Sequence, residues 1–401
     1  MKPRNKSLDL FRGFTVLLMV IVNNPGNWGQ IYSFFKHAAW DGLGSADFVF
    51  PFFLIAVGAS IPFAYAKRKS LAESDARILF HVFLRASFLI CIGLLLNGFP
   101  DYKLSELRIP GVLQRIGVVY FFAYAIYLSL NFRLQFFLFV SILLSYIIGI
   151  VYLAPPDWKY VQNVPFRYDS IYNWAAYIDR SLLSGHLWKI TKVWDPEGIL
   201  STIPSIASAL MGIWISEWFI KAISVKVDLT SKEKFQSQRS IQAISNFLLR
   251  LFPDNEKKEY FPVVVKFFFV GIIFLTLGFF VHSVFPINKS LWSSSFVLVT
   301  GASAYFFILI LYFIPASWQD AKVLKPILML GQSALFVFVF TGLFSRILNL
   351  VLHDGKSTKQ IVFSTLSIFS QPKDNSLFYS LVYLCFTISI TYIWRKLTQR
   401  I

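Results

Sequence analysis

Of the five histidines in the chain, one stands in a setting suited to chemistry. His37 lies in the stretch Phe34-Phe-Lys-His-Ala-Ala-Trp-Asp-Gly-Leu-Gly-Ser-Ala-Asp-Phe-Val-Phe-Pro-Phe-Phe53. Asn23, Lys36, Trp40, Asp41 and Asp47 are all close to it along the chain. Imidazole titrates near neutrality, which is what proton abstraction from an amine or alcohol requires. Asp47 has two readings: a catalytic partner of His37, or a carboxylate at the start of a helix, where the dipole favours it. His81, His186, His282 and His353 have no comparable surroundings, and their spacings match no metal motif. No nucleophile elbow and no glycine-rich phosphate loop is present.

Other polar residues sit where polarity is costly. Asp9 and Arg12 are three apart and share a helical face, so they pair, either as an anchor at the helix end or as part of a site. Asn23 and Asn24 precede Pro25 and Gly26, which stop a helix; capping of backbone groups is the alternative to a functional role. Arg85, Gln114 and Arg115 fall inside apolar runs, and an ionisable group there must face a partner or a water-filled cavity. Asp195 and Glu197 open a later apolar run, where they either cap it or face a substrate. These groups concentrate in the first half of the chain and are expected to line one cavity.

The elements that must position them are membrane helices. Hydrophobic residues make up 56% of the 401 and charged residues 15%, against about 25% charged in soluble domains. Aromatics reach 18%, with 44 Phe, 18 Tyr and 11 Trp. Phe suits lipid-facing surface, and Trp and Tyr suit the interface. The apolar runs are continuous and near the spanning length of about 20 residues, unlike the short alternating strands of an outer-membrane barrel. Roughly ten spans are expected, near 10–26, 46–66, 77–98, 110–130, 134–153, 199–219, 261–284, 291–314, 327–351 and 376–395. The fold class expected is therefore an all-α polytopic integral membrane protein, one transmembrane domain over residues 1–401.

Charge placement orients it. Lys2, Arg4, Lys6 and Arg12, then Lys67, Arg68, Lys69 and Arg77, then the basic residues of 220–260, and finally Arg395, Lys396 and Arg400 share one face if there are ten spans. By the positive-inside rule that face and both termini are cytoplasmic. The net charge of +17 is thus accounted for by span ends and anionic headgroups rather than nucleic acid. The loop 220–260 is amphipathic around Ile241 to Phe252 and reads as an interfacial helix. The outer segment 154–198 is long and rich in Trp and Tyr, which marks a functional loop or lid. Cys91 and Cys385 lie in apolar spans, so neither a disulfide framework nor a zinc site is expected. No small-residue cleavage site follows the basic start, and no cleavable leader is expected.

Several blocks resemble the heparan-α-glucosaminide N-acetyltransferase family. They are Ser7-Leu-Asp-Leu-Phe-Arg-Gly13, Val22-Asn23, Lys36-His-Ala-Ala-Trp-Asp-Gly42, Ala46-Asp-Phe-Val-Phe-Pro51 and Arg108-Ile-Pro-Gly-Val-Leu-Gln-Arg115. Trp194-Asp-Pro-Glu-Gly-Ile-Leu200 and Phe285-Pro-Ile-Asn-Lys-Ser-Leu-Trp292 match as well. In Gly331-Gln-Ser-Ala-Leu-Phe, Gln332 stands where the family leads one to expect Asn. The lysosomal enzyme carries a luminal domain ahead of its first matching span. No such domain is expected here, and the expected acceptor is an amino sugar or similar glycan rather than a defined polysaccharide.

The resemblance implies transfer of an acetyl group from acetyl-CoA to the amine of a glucosamine across a membrane. It implies the active-site histidine at His37 and a partner asparagine at Asn23. On that basis His37, Asn23 and Asp47 are the catalytic candidates. Arg12, Arg85, Gln114 and Arg115 are expected to bind the donor, and Asn24, Trp40, Asp41, Asp195 and Glu197 the acceptor. No metal is expected. The expected setting is a bacterial inner membrane with His37 near the outer face. The expected partners are acetyl-CoA, the acceptor sugar and lipid, with a second copy of the chain left open. His37 acts as general base or carries a covalent acetyl group; the sequence leaves both open. An amino-sugar transporter is the rival reading, though no internal repeat supports it.

Overall fold

A computed structural model describes residues 6–158, 169–228, 261–314 and 322–398. The interfacial helix expected around Ile241 to Phe252 lies outside the described residues.

Apolar runs bounded by polar caps set the elements. The helices are α1 (Lys6–Asn23), α2 (Val49–Lys69), α3 (Asp75–Gly98), α4 (Val112–Ser129), α5 (Phe132–Ile147), α6 (Trp174–Leu183) and α7 (Ile199–Asp228). After the first loops come α8 (Phe261–His282), α9 (Ser294–Phe313), α10 (Lys325–Gln332), α11 (Ala334–Leu350), α12 (Thr358–Thr365) and α13 (Pro372–Thr398). A two-residue β-ladder, Leu352–His353 with Lys356–Ser357, joins α11 to α12. Ser74, Asn131, Asn173 and Ser293 each accept a backbone N–H at the start of α3, α5, α6 and α9. A helix entering lipid leaves its first amides without partners, and such side chains satisfy one of them.

The chain is an all-α polytopic membrane protein. Eight helices among the described residues are long and apolar enough to cross a membrane, and a bent pair makes a ninth. The first expected span forms α1, which carries Lys6, Asp9 and Arg12 and is set apart from those eight by that charge. The expected straight span 327–351 is broken instead: α10 and α11 meet at Ser333 with a bend of 85°. Close backbone packing accompanies the bend. A side chain at Gly331 would collide with the carbonyl of Asp9 and the backbone of Gly13, and one at Gly13 with the Ile327 carbonyl. Helix α10 therefore lies against the first turns of α1, and α11 sets off in a new direction. Trp394, near the end of α13, stacks on Phe336 just past the bend, 4.7 Å between ring centres.

The centre of the bundle is α2 against α7. A side chain at Gly58 would collide with the Ala209 carbonyl, and one at Gly212 with the Ile55 carbonyl. Ser216 Oγ donates to the Ala59 carbonyl at 2.5 Å across the same crossing. In lipid, where apolar surface gives no drive to associate, small residues that admit such approach hold helices together. Around this pair Leu54, Ile55, Leu210, Ile213 and Trp214 are buried. Helix α8 turns Phe268, Phe269, Phe279 and Phe280 outward, as a lipid-facing helix does.

Five connections gather at one end of the bundle: those after α1, α3, α5, α8 and α11. Gly42 N donates to Ile287 O at 2.7 Å, Ile109 N to His186 O at 2.9 Å, and Gly26 N to Ser376 O at 3.3 Å. The opposite end carries Arg68 paired with Glu73 and Lys69 paired with Asp75. Within the segment 154–198, expected as a loop or lid, the described residues 169–198 contain α6, which packs against α7. Asp179 of α6 accepts from the backbone of Asp195 at 3.1 Å and of Ile199 at 3.0 Å, capping the start of α7.

Candidate active site

The site assembles from these connections. After α1 ends at Asn23, the chain crosses to a 3₁₀ turn, Ser45–Phe48, that leads into α2. Asp47 in this turn is 1% exposed. Its Oδ2 accepts from Gly44 N at 2.8 Å and Ala38 N at 3.0 Å. Its Oδ1 lies 2.6 Å from His37 Nδ1. In the tautomer with its proton on Nδ1, the imidazole donates to this carboxylate and presents Nε2 as an acceptor. Asp47 thus caps the turn with one oxygen and contacts the imidazole with the other.

A third group completes the cluster. Lys289, from the loop between α8 and α9, places Nζ 3.1 Å from His37 Nδ1 and 3.6 Å from Asp47 Oδ1. Burial draws its ammonium below the usual lysine range, while Asp47 and Glu197 pull the other way. The loop is clamped to the His37 segment by the Gly42–Ile287 backbone bond and by Asn288 Nδ2 donating to Asp41 Oδ1 at 3.0 Å. Asn288 is fully buried and also accepts from Leu291 N at 2.8 Å. From the sequence this block, Phe285 to Trp292, reads only as a motif, with no role for Lys289. The signal available was an Asn-Lys pair between two apolar spans.

A cavity of about 90 Å³ opens beside the cluster. Asn23, His37, Glu197 and Lys289 stand on its wall. Its remaining lining is apolar: Met19, Val49, Phe50 and Phe53, then Val112, Ile116 and Phe338, with Ala46 beside them. It therefore lies between α1, α2, α4 and α11. Phe338 reaches this wall from α11, just past the break at Ser333. One side is polar and basic, the other suits an acyl chain.

Glu197 is held from behind. Arg108 grips Asp195 through Nε to Oδ2 at 2.8 Å and Nη2 to Oδ1 at 2.6 Å, and reaches Glu197 Oε2 at 2.6 Å. Burial alone would lower the guanidinium's affinity for its proton, but the two carboxylates raise it above the ordinary arginine range. Arg108 is a second residue to which the sequence alone assigns no role.

The other expected site residues are placed elsewhere, and the expectation of one cavity lined by all of them is corrected. Asp195 is 3% exposed, and both its oxygens are engaged by Arg108. Asn24 turns inward: its Nδ2 donates to Val20 O at 2.9 Å, and its carbonyl accepts from Ser380 Oγ at 3.1 Å. Of the two neighbouring asparagines, Asn23 stands on the cavity wall and Asn24 bonds back to its own helix. Trp40 packs edge-on against Trp194, 5.2 Å between ring centres, and Asp41 is the anchor for Asn288.

The four expected donor-binding residues lie off the cavity. Arg12 lies 3.9 Å from Asp9 near the start of α1, away from the His37 end. Arg85 is on an exposed face of α3, 5.7 Å from the Tyr120 ring centre. Gln114 fills the space left by Gly93 and Gly111. Arg115 is 2% exposed, bonded to the Gly198 carbonyl and Ser201 hydroxyl, with its guanidinium 5.1 Å from the Trp292 ring centre. Helical rotation decides this. Val112 and Ile116 face the cavity, so Gln114 and Arg115 between them point to other neighbours. Among the described residues no group of three or more His, Cys, Asp or Glu could hold a metal ion.

A bundle of membrane helices with a histidine–carboxylate pair at the mouth of a half-apolar cavity is the setting for comparison with known proteins. The heparan-alpha-glucosaminide N-acetyltransferase of Homo sapiens is 29% identical over 388 residues, which is 84% of this chain and 52% of that protein. The protein of the same name from Mus musculus is 29% identical over 383 residues, 84% of this chain and 53% of that protein. The resemblance carried by the motifs therefore holds over most of the sequence. The chain spans about half the length of the curated relatives it matches. No family model matches it.

Proposed function

We propose that this protein is a transmembrane acetyltransferase that moves the acetyl group of acetyl-CoA to the amine of a glucosamine-type sugar. The observation that carries the reading is the His37–Asp47 pair at the edge of a cavity that also presents Asn23 and Glu197. The similarity to two proteins named as N-acetyltransferases supports it.

In this reading the thioester lies along the apolar wall of Phe50, Val112, Ile116 and Phe338. The acceptor amine attacks the thioester carbonyl. His37 Nε2 takes the amine proton as the C–N bond forms, and returns it to the departing CoA sulfur as the C–S bond breaks. Asp47 holds the imidazole in the required tautomer and stabilises the imidazolium. Asn23 donates to the developing oxyanion, and Glu197 receives the acceptor's ammonium or hydroxyl groups. The chain lies in a bacterial inner membrane with about ten spans and both termini cytoplasmic, and His37 sits at the outer face.

The test is acetyl transfer by the purified protein against a panel of amino sugars, with CoA release as the readout. His37→Ala is expected to abolish transfer while the fold persists; a folded variant that still acetylates glucosamine sinks the assignment. A covalent acetyl-His37 would show as ping-pong kinetics.

One observation favours a second reading. Broken helices are common in transporters, and α10–α11 is such a break. Transporters pair the feature across matched halves, whereas one bent pair occurs among the described residues. Uptake of labelled sugar into proteoliposomes without CoA release would favour transport.

A further inference from the structure

We infer that Arg346 is a specificity-determining residue of the acceptor site: its guanidinium, near the end of α11, receives a negatively charged oxygen group, such as a phosphate or sulfate ester, that the amino sugar carries apart from its amine. The inference rests on the acetyl-transfer reading above and narrows the class of acceptor.

An arginine in a membrane helix is costly, and one that persists there faces a partner or a watery cavity. Arg346 stands one turn before the end of α11 and is half-buried. Its Nη1 donates to the Gly342 carbonyl, four residues back, at 3.0 Å. Among the described residues it forms no ion pair, and the charged group close enough to act on it is another cation, Arg108. An arginine that only anchors a helix reaches out to lipid phosphates at the membrane surface. Arg346 runs the other way. Helix α11 heads for the end of the bundle that holds His37, so the bond to Gly342 turns the guanidinium back toward the interior. A Cβ at Gly342 would stand 3.4 Å from Nη1, so the glycine leaves the guanidinium its room.

Two links place Arg346 beside the cavity. Phe338, on the cavity wall, lies eight residues earlier on α11, about 12 Å along the helix. Arg108, the neighbouring cation, bonds Glu197, which stands on the same wall. Arg108 commits Nε and Nη2 to Asp195 and Glu197. Among the described residues Nη1 of Arg108 and Nε and Nη2 of Arg346 make no hydrogen bond. Guanidinium N–H groups of this kind suit the oxygens of a carboxylate, sulfate or phosphate. In the reading above Glu197 receives the acceptor's ammonium. A carboxylate on the wall and an uncompensated guanidinium near it match an acceptor with one positive and one negative group. A neutral amino sugar would leave the charge of Arg346 unanswered.

The experiment uses the full chain in a non-ionic detergent free of phosphate. Acetyl transfer is measured with glucosamine, glucosamine 1-phosphate, glucosamine 6-phosphate and glucosamine 6-sulfate. Wild type is expected to show a higher kcat/KM with one of the charged sugars than with glucosamine. Arg346→Gln is expected to lower that charged-to-neutral ratio about tenfold, through KM, as loss of one charge-assisted contact does, and Arg346→Lys to keep part of it. A ratio unchanged in Arg346→Gln, or a wild type that prefers the uncharged sugar, overturns the inference. Added phosphatidylglycerol tests the other source of an oxyanion. A ratio in wild type that collapses to the variant's value when the lipid is present makes a headgroup the occupant and also overturns it. Should Arg346→Gln fail to fold, Arg346→Met, which keeps the apolar stem, makes the same comparison. If wild type acetylates none of the four sugars, the proposed function fails, and thermal stabilisation by each sugar tests Arg346 by itself. Stabilisation by a charged sugar that is lost in Arg346→Gln supports the site, and equal shifts in the two proteins overturn it.

Discussion

Arg108 holds Asp195 through two parallel hydrogen bonds, Nε to Oδ2 at 2.8 Å and Nη2 to Oδ1 at 2.6 Å, and with the same Nη2 steadies Glu197. The two residues are 87 apart in sequence, and their bond ties the connection after α3 to the segment that opens α7. Asp195 is fully buried, so removing its partner leaves an uncompensated charge. Arg108→Ala is therefore expected to cost about 3 kcal/mol of stability, most of it recovered when Asp195→Asn is added. Thermal denaturation in detergent measures both. A single variant as stable as wild type shows that the pair is not what fixes these segments.

The two adjacent asparagines separate function from capping. Asn23 faces the cavity, and Asn23→Ala is expected to lower acetyl transfer on the order of a hundredfold through loss of an oxyanion donor, with little change in stability. Asn24 bonds the Val20 carbonyl. Asn24→Ala is expected to cost about 1 kcal/mol of stability and leave the activity of the folded fraction intact. Kinetics and melting temperatures of the pair decide the assignment; the reversed pattern would exchange their roles.

The apolar wall of the cavity sets the acyl group. Phe338 reaches it from α11. Phe338→Ala is expected to shift preference from acetyl toward propionyl or butyryl donors by about tenfold in kcat/KM, since each methylene in an apolar pocket is worth about 1–3 kcal/mol. Competition between acetyl-CoA and butyryl-CoA reads the ratio. An unchanged ratio would place the acyl group elsewhere.

Asp179 gives stability a pH dependence of known sign. Burial, ahead of every other influence, pushes its carboxyl up to about 6. An acid whose folded value exceeds its unfolded one, near 4, takes up a proton on folding between those two pH values. Stability from this group is therefore greatest below pH 4, falls as pH rises toward 6 and is flat above. The full change is about 3 kcal/mol, from about two pH units at 1.36 kcal/mol each. Asp179→Asn is expected to remove that slope. Melting temperatures from pH 4 to 7 test it, and parallel slopes in the two proteins count against it.

At the α2–α7 crossing Gly58 has no room for a side chain. Gly58→Val forces the Ala209 carbonyl away, and the expected loss is about 3 kcal/mol or more, near the upper end for overpacking. Yield of folded protein and melting temperature report it. Val at Gly149, which has open space around it, is the control and is expected to be tolerated.

The amino-acid sequence by itself determined the class of fold. Apolar runs of spanning length define membrane helices whatever their partners, because lipid forces each segment to satisfy its own backbone. It also singled out His37 and Asp47, which sit 10 apart on one short connection where local chain geometry can join them. The sequence could not disclose Lys289 beside them, because that lysine arrives from 252 residues away. Nor could it separate Asn23 from Asn24, or Arg115 from Ile116, since which face of a helix meets the cavity depends on how neighbouring helices are rotated. The break at Ser333 was equally hidden: an apolar stretch of the right length reads as one straight span. In the folded chain Gly331 packs on Gly13, which seats α10 on α1, and Phe338 of α11 lines the cavity. Hydrophobicity is written along the chain residue by residue. The site depends on long-range contacts among side chains, and those exist only once the helices have packed.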